Sequence, residues 1–209
     1  MTLEDRRDDG REVVERRVLH AGKVFDLVGE NVRLDADDAE PVVREFLDHP
    51  GAVAVVVMRE GPDGEEIALV DQYRHPVRAV LWEVPAGLLD VAGEDYLTAA
   101  QRELAEETDL RAERWDVLVD YFTTPGGSDE SLRVYLARDV SEVDAADRHD
   151  RADEERDMTL RWVTLDDALA GVHAGRIHNP SAVVGILATA SARASGWSVL
   201  RPADAPWFR

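Results

Sequence analysis

The feature that most limits how this chain can fold is Ala52-Val53-Ala54-Val55-Val56-Val57-Met58, an unbroken apolar run rich in β-branched residues. Strand side chains alternate between two faces, so such a run must be covered on both. It belongs at the centre of a sheet with a layer on each side. Gly61-Pro62-Asp63-Gly64 reads as a turn, after which Ile67-Ala68-Leu69-Val70 pairs back. Val80 to Val84, Trp115 to Phe122, Leu132 to Ala137 and Leu160 to Val163 read as further strands. Helices are expected over about Tyr96 to Thr108, over Asp166 to Ala174 behind an N-cap at Thr164, and over about Ser181 to Ala194.

Upstream, Val13 to Leu19 and Lys23 to Val28 read as strands separated by His20-Ala21-Gly22. Asn31 to Leu34 continues that sheet, and Val42 to Leu47 follows the acidic turn Asp35 to Glu40. Strands and helices interleave without repeats or regular βαβ spacing, so the class is mixed α/β (α+β). The expected division is a disordered tail over 1–10, an N-terminal antiparallel β segment over 11–45, a main domain over 46–195 and an irregular tail over 196–209.

A length of 209 residues suits one domain with an appendage. No apolar run reaches the ~18 residues that a bilayer requires, and the charged N-terminus does not read as a secretory signal. There is no cysteine, which excludes thiolate catalysis and thiolate metal sites and fits a cytoplasmic setting. A formal net charge of −20 argues against nucleic acid or anionic membrane as a partner. An anionic substrate would need local cations. Lys23 is the only lysine, so those cations would be metal ions and guanidinium groups.

The helix over Tyr96 to Thr108 carries Arg102-Glu103-Leu104-Ala105-Glu106-Glu107. Glu103 and Glu107 lie one turn apart with Glu106 between them, and Arg102 precedes Glu106 by four residues. Leu97 and Leu104 point to another face. Taken alone, this is an ordinary solvated helix face or a set of hard oxygen ligands of the kind Mg²⁺ prefers. The residues before it separate the two readings. Gly87 is followed by six residues and Glu94, then by seven residues and Arg102.

That run resembles the signature of the Nudix hydrolase family: Gly, five residues, Glu, seven residues, then Arg-Glu-apolar-any-Glu-Glu-any-Gly-apolar. Two positions depart from it. One extra residue separates Gly87 from Glu94, in a loop that tolerates length. Asp109 stands in place of Gly, at a helix end where the backbone is often left-handed. Gln72-Tyr73-Arg74, Trp82-Glu83-Val84-Pro85-Ala86-Gly87 and Pro125-Gly126-Gly127-Ser128-Asp129-Glu130 resemble the ADP-ribose pyrophosphatase subgroup, over most of residues 12 to 190.

The resemblance implies a Nudix fold, a mixed β-sheet sandwiched between helices, and Mg²⁺-dependent cleavage of ADP-ribose to AMP and ribose 5-phosphate, with Mn²⁺ as an alternative cofactor. It implies Glu103, Glu106, Glu107 and the Ala86 carbonyl as metal ligands, and Glu94 with Arg102 as a brace that holds Gly87 and the loop to the helix. Arg44, Arg74, Phe25 and Glu130 fall at substrate-contact positions. Phe25 would stack on adenine from a partner subunit, or else pack as a core residue. The β segment would join a homodimer, or add strands to its own domain. The base comes from a loop before the last strand, which here places Glu154 first and Glu155 next to it. Alternatives are a Nudix hydrolase of another nucleotide sugar or of a dinucleoside polyphosphate, or a non-catalytic Nudix domain that senses a nucleotide.

Overall fold

A computed structural model of the protein describes residues 3–8, 10–35, 37–38, 40–149 and 158–209. The chain divides into two compact units, Met1–Pro50 with Phe122–Glu130, and Gly51–Tyr121 with Ser131–Arg209. Among the described residues no helix is long and apolar enough to cross a membrane.

The first unit is an antiparallel sheet of β1 (Glu12–His20), β2 (Asp26–Arg33) and β3 (Val42–Asp48), in that order. The two pieces expected over 23–28 and 31–34 are one strand. Gly29 and Glu30 continue the ladder between them, paired with Arg17 and Arg16 on one side and with Glu45 and Arg44 on the other. Phe25 therefore precedes the strand. Arg16 bridges the sheet through ion pairs to Glu30 and Asp48. Segment 122–130 joins this unit because the Leu47 amide donates to the Gly127 carbonyl at 3.0 Å and the Asp129 amide to the Leu47 carbonyl at 3.2 Å.

The second unit is built on a mixed sheet ordered β10-β5-β4-β9-β8-β11, with β6 paired to β5 and β7 to β4. These strands are β4 (Ala52–Gly61), β5 (Gly64–Arg74), β6 (Ala79–Glu83), β7 (Ala86–Leu88), β8 (Leu110–Phe122), β9 (Ser131–Glu142), β10 (Leu160–Thr164) and β11 (Arg201–Pro202). The apolar run Ala52 to Met58 lies at its centre, parallel to β9 and antiparallel to β5 and β7. Val53, Val55 and Val57 face helix α1 (Tyr96–Thr108), packing with Ala99, Ala100 and Leu104. Ala52, Ala54, Val56 and Met58 face the other layer, which contains α2 (Leu165–His173) and α3 (Pro180–Ala194). Gly185 lets α3 come close: a Cβ there would sit 2.8 Å from Val56 Cγ2.

Three stretches differ from expectation. Strand β8 starts at Leu110 because Asp109 takes φ 57° and ends α1, after which Leu110 is buried. Strand β9 runs past Asp139, which also takes φ 57°. The stretch from 196 is not simply irregular, since Arg201 and Pro202 form β11 against Val117 and Asp116 of β8.

Leu104 is fully buried between α1 and β4. Leu104→Ala should lower unfolding stability by about 3 kcal/mol. Val91→Ala, at a half-exposed loop position, should shift it by less than about 0.5 kcal/mol. Urea titration of both variants checks the contrast.

Candidate active site

The site in the second unit is formed by one short strand and one helix. Strand β7 lies antiparallel on β4, with Gly87 opposite Val53 and Ala86 opposite Ala54. The loop from β7 then leads to Asp95, which caps α1 by accepting from the Leu97 and Thr98 amides at 3.1 and 3.0 Å. The Thr98 hydroxyl, then these amides, hold the Asp95 carboxyl below its ordinary range. An Asp directly before a helix is a visible capping signal, and it fixes the first turn of α1. Asp109 ends the helix in the left-handed conformation, its amide donating to the Ala105 carbonyl.

Arg102 organises the face between these two caps. Its Nε and one Nη donate to the two oxygens of Glu94 at 3.1 and 3.0 Å. The other Nη donates to Glu103 Oε1 at 2.6 Å and Glu106 Oε2 at 3.1 Å. Glu94 is held below the ordinary carboxylate range by its hydrogen bond from Arg102, and Arg102 is held above the ordinary guanidinium range by the same bond. Among the described residues, no three carboxylate or imidazole groups close on one centre. A single Arg102 nitrogen thus gathers the Glu103 and Glu106 carboxylates on this face.

Glu107 is turned differently. It is only 7% exposed, and its Oε2 accepts the Ala86 amide at 3.1 Å. The Glu103 carboxylate lies over Gly87 so closely that a Cβ on that glycine would overlap it. A side chain at this position would displace the Glu103 carboxylate. Ala86, Gly87, Glu94, Arg102, Glu103, Glu106 and Glu107 thus form one connected cluster. A set of carboxylate and carbonyl oxygens without sulfur or imidazole suits a hard divalent cation, so these residues fit the cofactor that the spacing suggests.

Arg74 has a partner that the sequence did not single out. Its Nε and one Nη donate to the two oxygens of Glu83 at 2.9 and 2.8 Å, and Glu83 is buried. Such a bidentate fork fixes the guanidinium plane. Glu83 sits inside the quoted run Trp82 to Gly87, but nothing in the spacing points to Arg74.

The remaining substrate candidates lie in the first unit. Phe25 is 44% exposed, so it is not a core residue, and it stacks on His49 with ring centroids 6.3 Å apart. His49 Nε2 lies 3.7 Å from Glu130 Oε1, while the Thr123 hydroxyl donates to Glu130 Oε2 at 2.6 Å. Phe25 and Glu130 are thereby linked through a histidine with no signature in the sequence. Arg44 lines a cleft of about 390 Å³ with Phe46, Phe122, Gly126 and Gly127, and its Nη donates to the Val43 carbonyl. Glu154 and Glu155 lie outside the described residues.

Comparison with known proteins bears on the family. The NUDIX domain profile matches residues 48–182, well over half of the chain. An ADP-ribose pyrophosphatase of Mycobacterium tuberculosis is 44% identical over 197 residues, covering 94% of this chain and 91% of that protein. A methanol dehydrogenase activator of Bacillus methanolicus is 34% identical over 177 residues, covering 82% and 91%. A crystal structure of an ADP compounds hydrolase superposes with a TM-score of 0.72 over 92% of this chain and 99% of its own, at 15% identity, a likeness of fold. The chain belongs to the Nudix family.

The Glu94–Arg102 pair makes stability depend on pH. A carboxylate whose folded pKa is depressed contributes stability above its ordinary value of 4.5, and that contribution is lost as pH falls through the folded value. Glu94→Gln should therefore have a lower Tm at neutral pH, and its Tm should fall less than that of the wild type between about pH 5 and pH 3. Parallel Tm profiles for the two proteins would contradict this account.

Proposed function

We propose that this protein is a divalent-metal-dependent pyrophosphohydrolase that cleaves ADP-ribose to AMP and ribose 5-phosphate. The observation that carries the reading is the intact cluster of Gly87, Glu94, Arg102, Glu103, Glu106 and Glu107, with Glu107 buried against the Ala86 amide. The name and extent of the Mycobacterium tuberculosis relative support the substrate. Water adds to one phosphorus, and the bridging oxygen leaves with the other phosphate. Either choice of phosphorus gives the same two products.

Glu103, Glu106, Glu107 and the Ala86 carbonyl would hold the ion, Mg²⁺ or alternatively Mn²⁺. Bound there, it supplies neutralisation of diphosphate charge and a lowered pKa for water. Arg102 and Glu94 keep the helix and its leading loop in register. Arg44 and Arg74 bring guanidinium charge toward an anion in a protein of net charge −20. Phe25 offers an exposed ring for a base, and Glu130 a fixed acceptor for sugar or base donors. The reading also includes a homodimer formed through residues 11–45, supported by the exposed Val13, Val14, Val18 and Leu19 of β1, and a cytoplasmic setting.

Glu107→Gln should lower Mg²⁺-dependent ADP-ribose turnover by roughly 100-fold or more. Assays should compare ADP-ribose, sugar nucleotides and diadenosine polyphosphates. Preference for another nucleotide would keep the reaction and change the substrate, and full activity in Glu107→Gln would remove the metal site. The relative named as a methanol dehydrogenase activator favours a second reading, action on a partner enzyme. Wild-type protein that binds nucleotide but cleaves none of the panel would favour that reading.

The base is proposed as Glu154, with Glu155 as the alternative, on their place in the sequence before β10. Glu154→Gln should depress kcat by roughly 100-fold with KM little changed. If Glu155→Gln has that effect instead, the role moves by one residue.

A further inference from the structure

Segment 203–209 is fixed by a buried cation. Arg133, on strand β9 beside β4, is 1% exposed. Its Nε and one Nη donate to both oxygens of Asp120 at 2.7 and 2.9 Å. Its Nη atoms also donate to the Ala205 and Pro206 carbonyls at 2.8 and 3.0 Å. A charge this buried requires such complete satisfaction, so the path of the segment is specified. Arg201, in β11, adds a 3.0 Å ion pair to the same Asp120.

Beyond Pro206 the chain reaches the beginning of α1. Trp207 packs edge-to-face on Tyr96, the first residue of that helix, with ring centroids 4.8 Å apart at 85°. The Arg133 guanidinium lies over the Trp207 ring, 5.0 Å from its centroid. The Arg209 guanidinium lies over both Trp207 and Tyr96, at 5.2 and 5.7 Å. It also stands 3.1 Å from where a Cβ on Gly51 would be. Gly51 accepts the Leu89 amide at 3.1 Å, immediately after β7. One segment therefore touches both supports of the carboxylate cluster, the helix and the chain that leaves Ala86–Leu88.

At this end the helix is held by the Asp95 cap and by Leu97, which is only partly buried against the core. Its other end is tied directly to β8 through Asp109. Toward the first turn, the fully buried residues are Ala99 and Ala100, whose small side chains interlock little with the sheet. Leu104 is the only large, fully buried side chain of α1. Because a helix moves as a rod, a shift at Tyr96 is transmitted about 16 Å to Glu107.

We propose that residues 201–209 act as a positioning strap for the carboxylate helix, with Trp207 as its clamp on Tyr96 and Arg209 as its link to Gly51. The proposal rests on the metal-site reading of Glu103, Glu106 and Glu107. Trp207 and Arg209 are positioning residues that act through α1.

The test uses the full chain, with Mg²⁺ and Mn²⁺ binding measured by calorimetry without substrate. Amide exchange across Leu97–Ala100 and ADP-ribose kinetics at saturating metal complete it. Trp207→Ala should weaken metal binding roughly tenfold, speed exchange in the first turn of α1, and lower kcat with KM unchanged. Trp207→Phe should restore all three. Should Trp207→Ala fail to fold, Arg209→Met, an exposed change, should move the same readouts in the same direction by about threefold, less than loss of the Trp207 ring. Wild-type metal affinity and exchange in Trp207→Ala, or in Arg209→Met where it stands in, would overturn the strap alone. A wild-type chain that binds Mg²⁺ but leaves ADP-ribose intact would defeat the substrate reading and leave the strap standing. A wild-type chain that binds neither ion would defeat both.

Discussion

Strand β4 needs apolar cover on both faces, and the second unit is arranged around meeting that demand. Its odd-numbered valines lie against α1, while Ala54 and Val56 lie against the layer that holds α2 and α3. Neither side chain set can be exposed without removing several fully buried groups at once. With β4 fixed, β7 takes its place beside it through the Val53–Gly87 and Ala54–Ala86 pairs. Helix α1 covers the same region, which brings its carboxylates to Ala86 and Gly87.

Within that frame, charge balance on α1 is a second constraint. Four carboxylates within one loop and one helix would repel one another strongly without compensation. Arg102 lies between three of them, and Glu107 accepts a backbone amide instead. This arrangement explains why an arginine opens the helical part of the signature. Its planar fork grips Glu94 with two donors while a third group serves Glu103 and Glu106, which an ammonium could not do with the same geometry. Gly87 contributes by having no side chain, and any other residue would push the Glu103 carboxylate away from β7.

Much of this was legible in the chain itself. The limits of α1 follow from Asp95 as a cap and Asp109 as a left-handed terminator, both local effects of short polar side chains. The thirteen-residue helix and the central strand fall where periodicity and composition place them. Contacts between segments distant in sequence were harder to read. The Arg74–Glu83 fork, the His49 ring between Phe25 and Glu130, and the Arg133–Asp120 pair join residues with no periodic relation. Arg133 offers the sharpest case, since a charged residue within a strand gives no sign that it will be buried. Residues 203–209 look irregular because their order comes from an arginine some seventy positions earlier.

The class of fold, the central strand and the carboxylate helix were set by the chain alone, because they depend on side-chain periodicity and short-range spacing, while the pairing of Glu94 with Arg102 was implied by the family resemblance. Only the folded arrangement turns Glu107 to the Ala86 amide and brings segment 201–209 to the start of α1. Those outcomes depend on which backbones the sheet brings side by side. Packing around β4 settles that, and no local rule in the chain can.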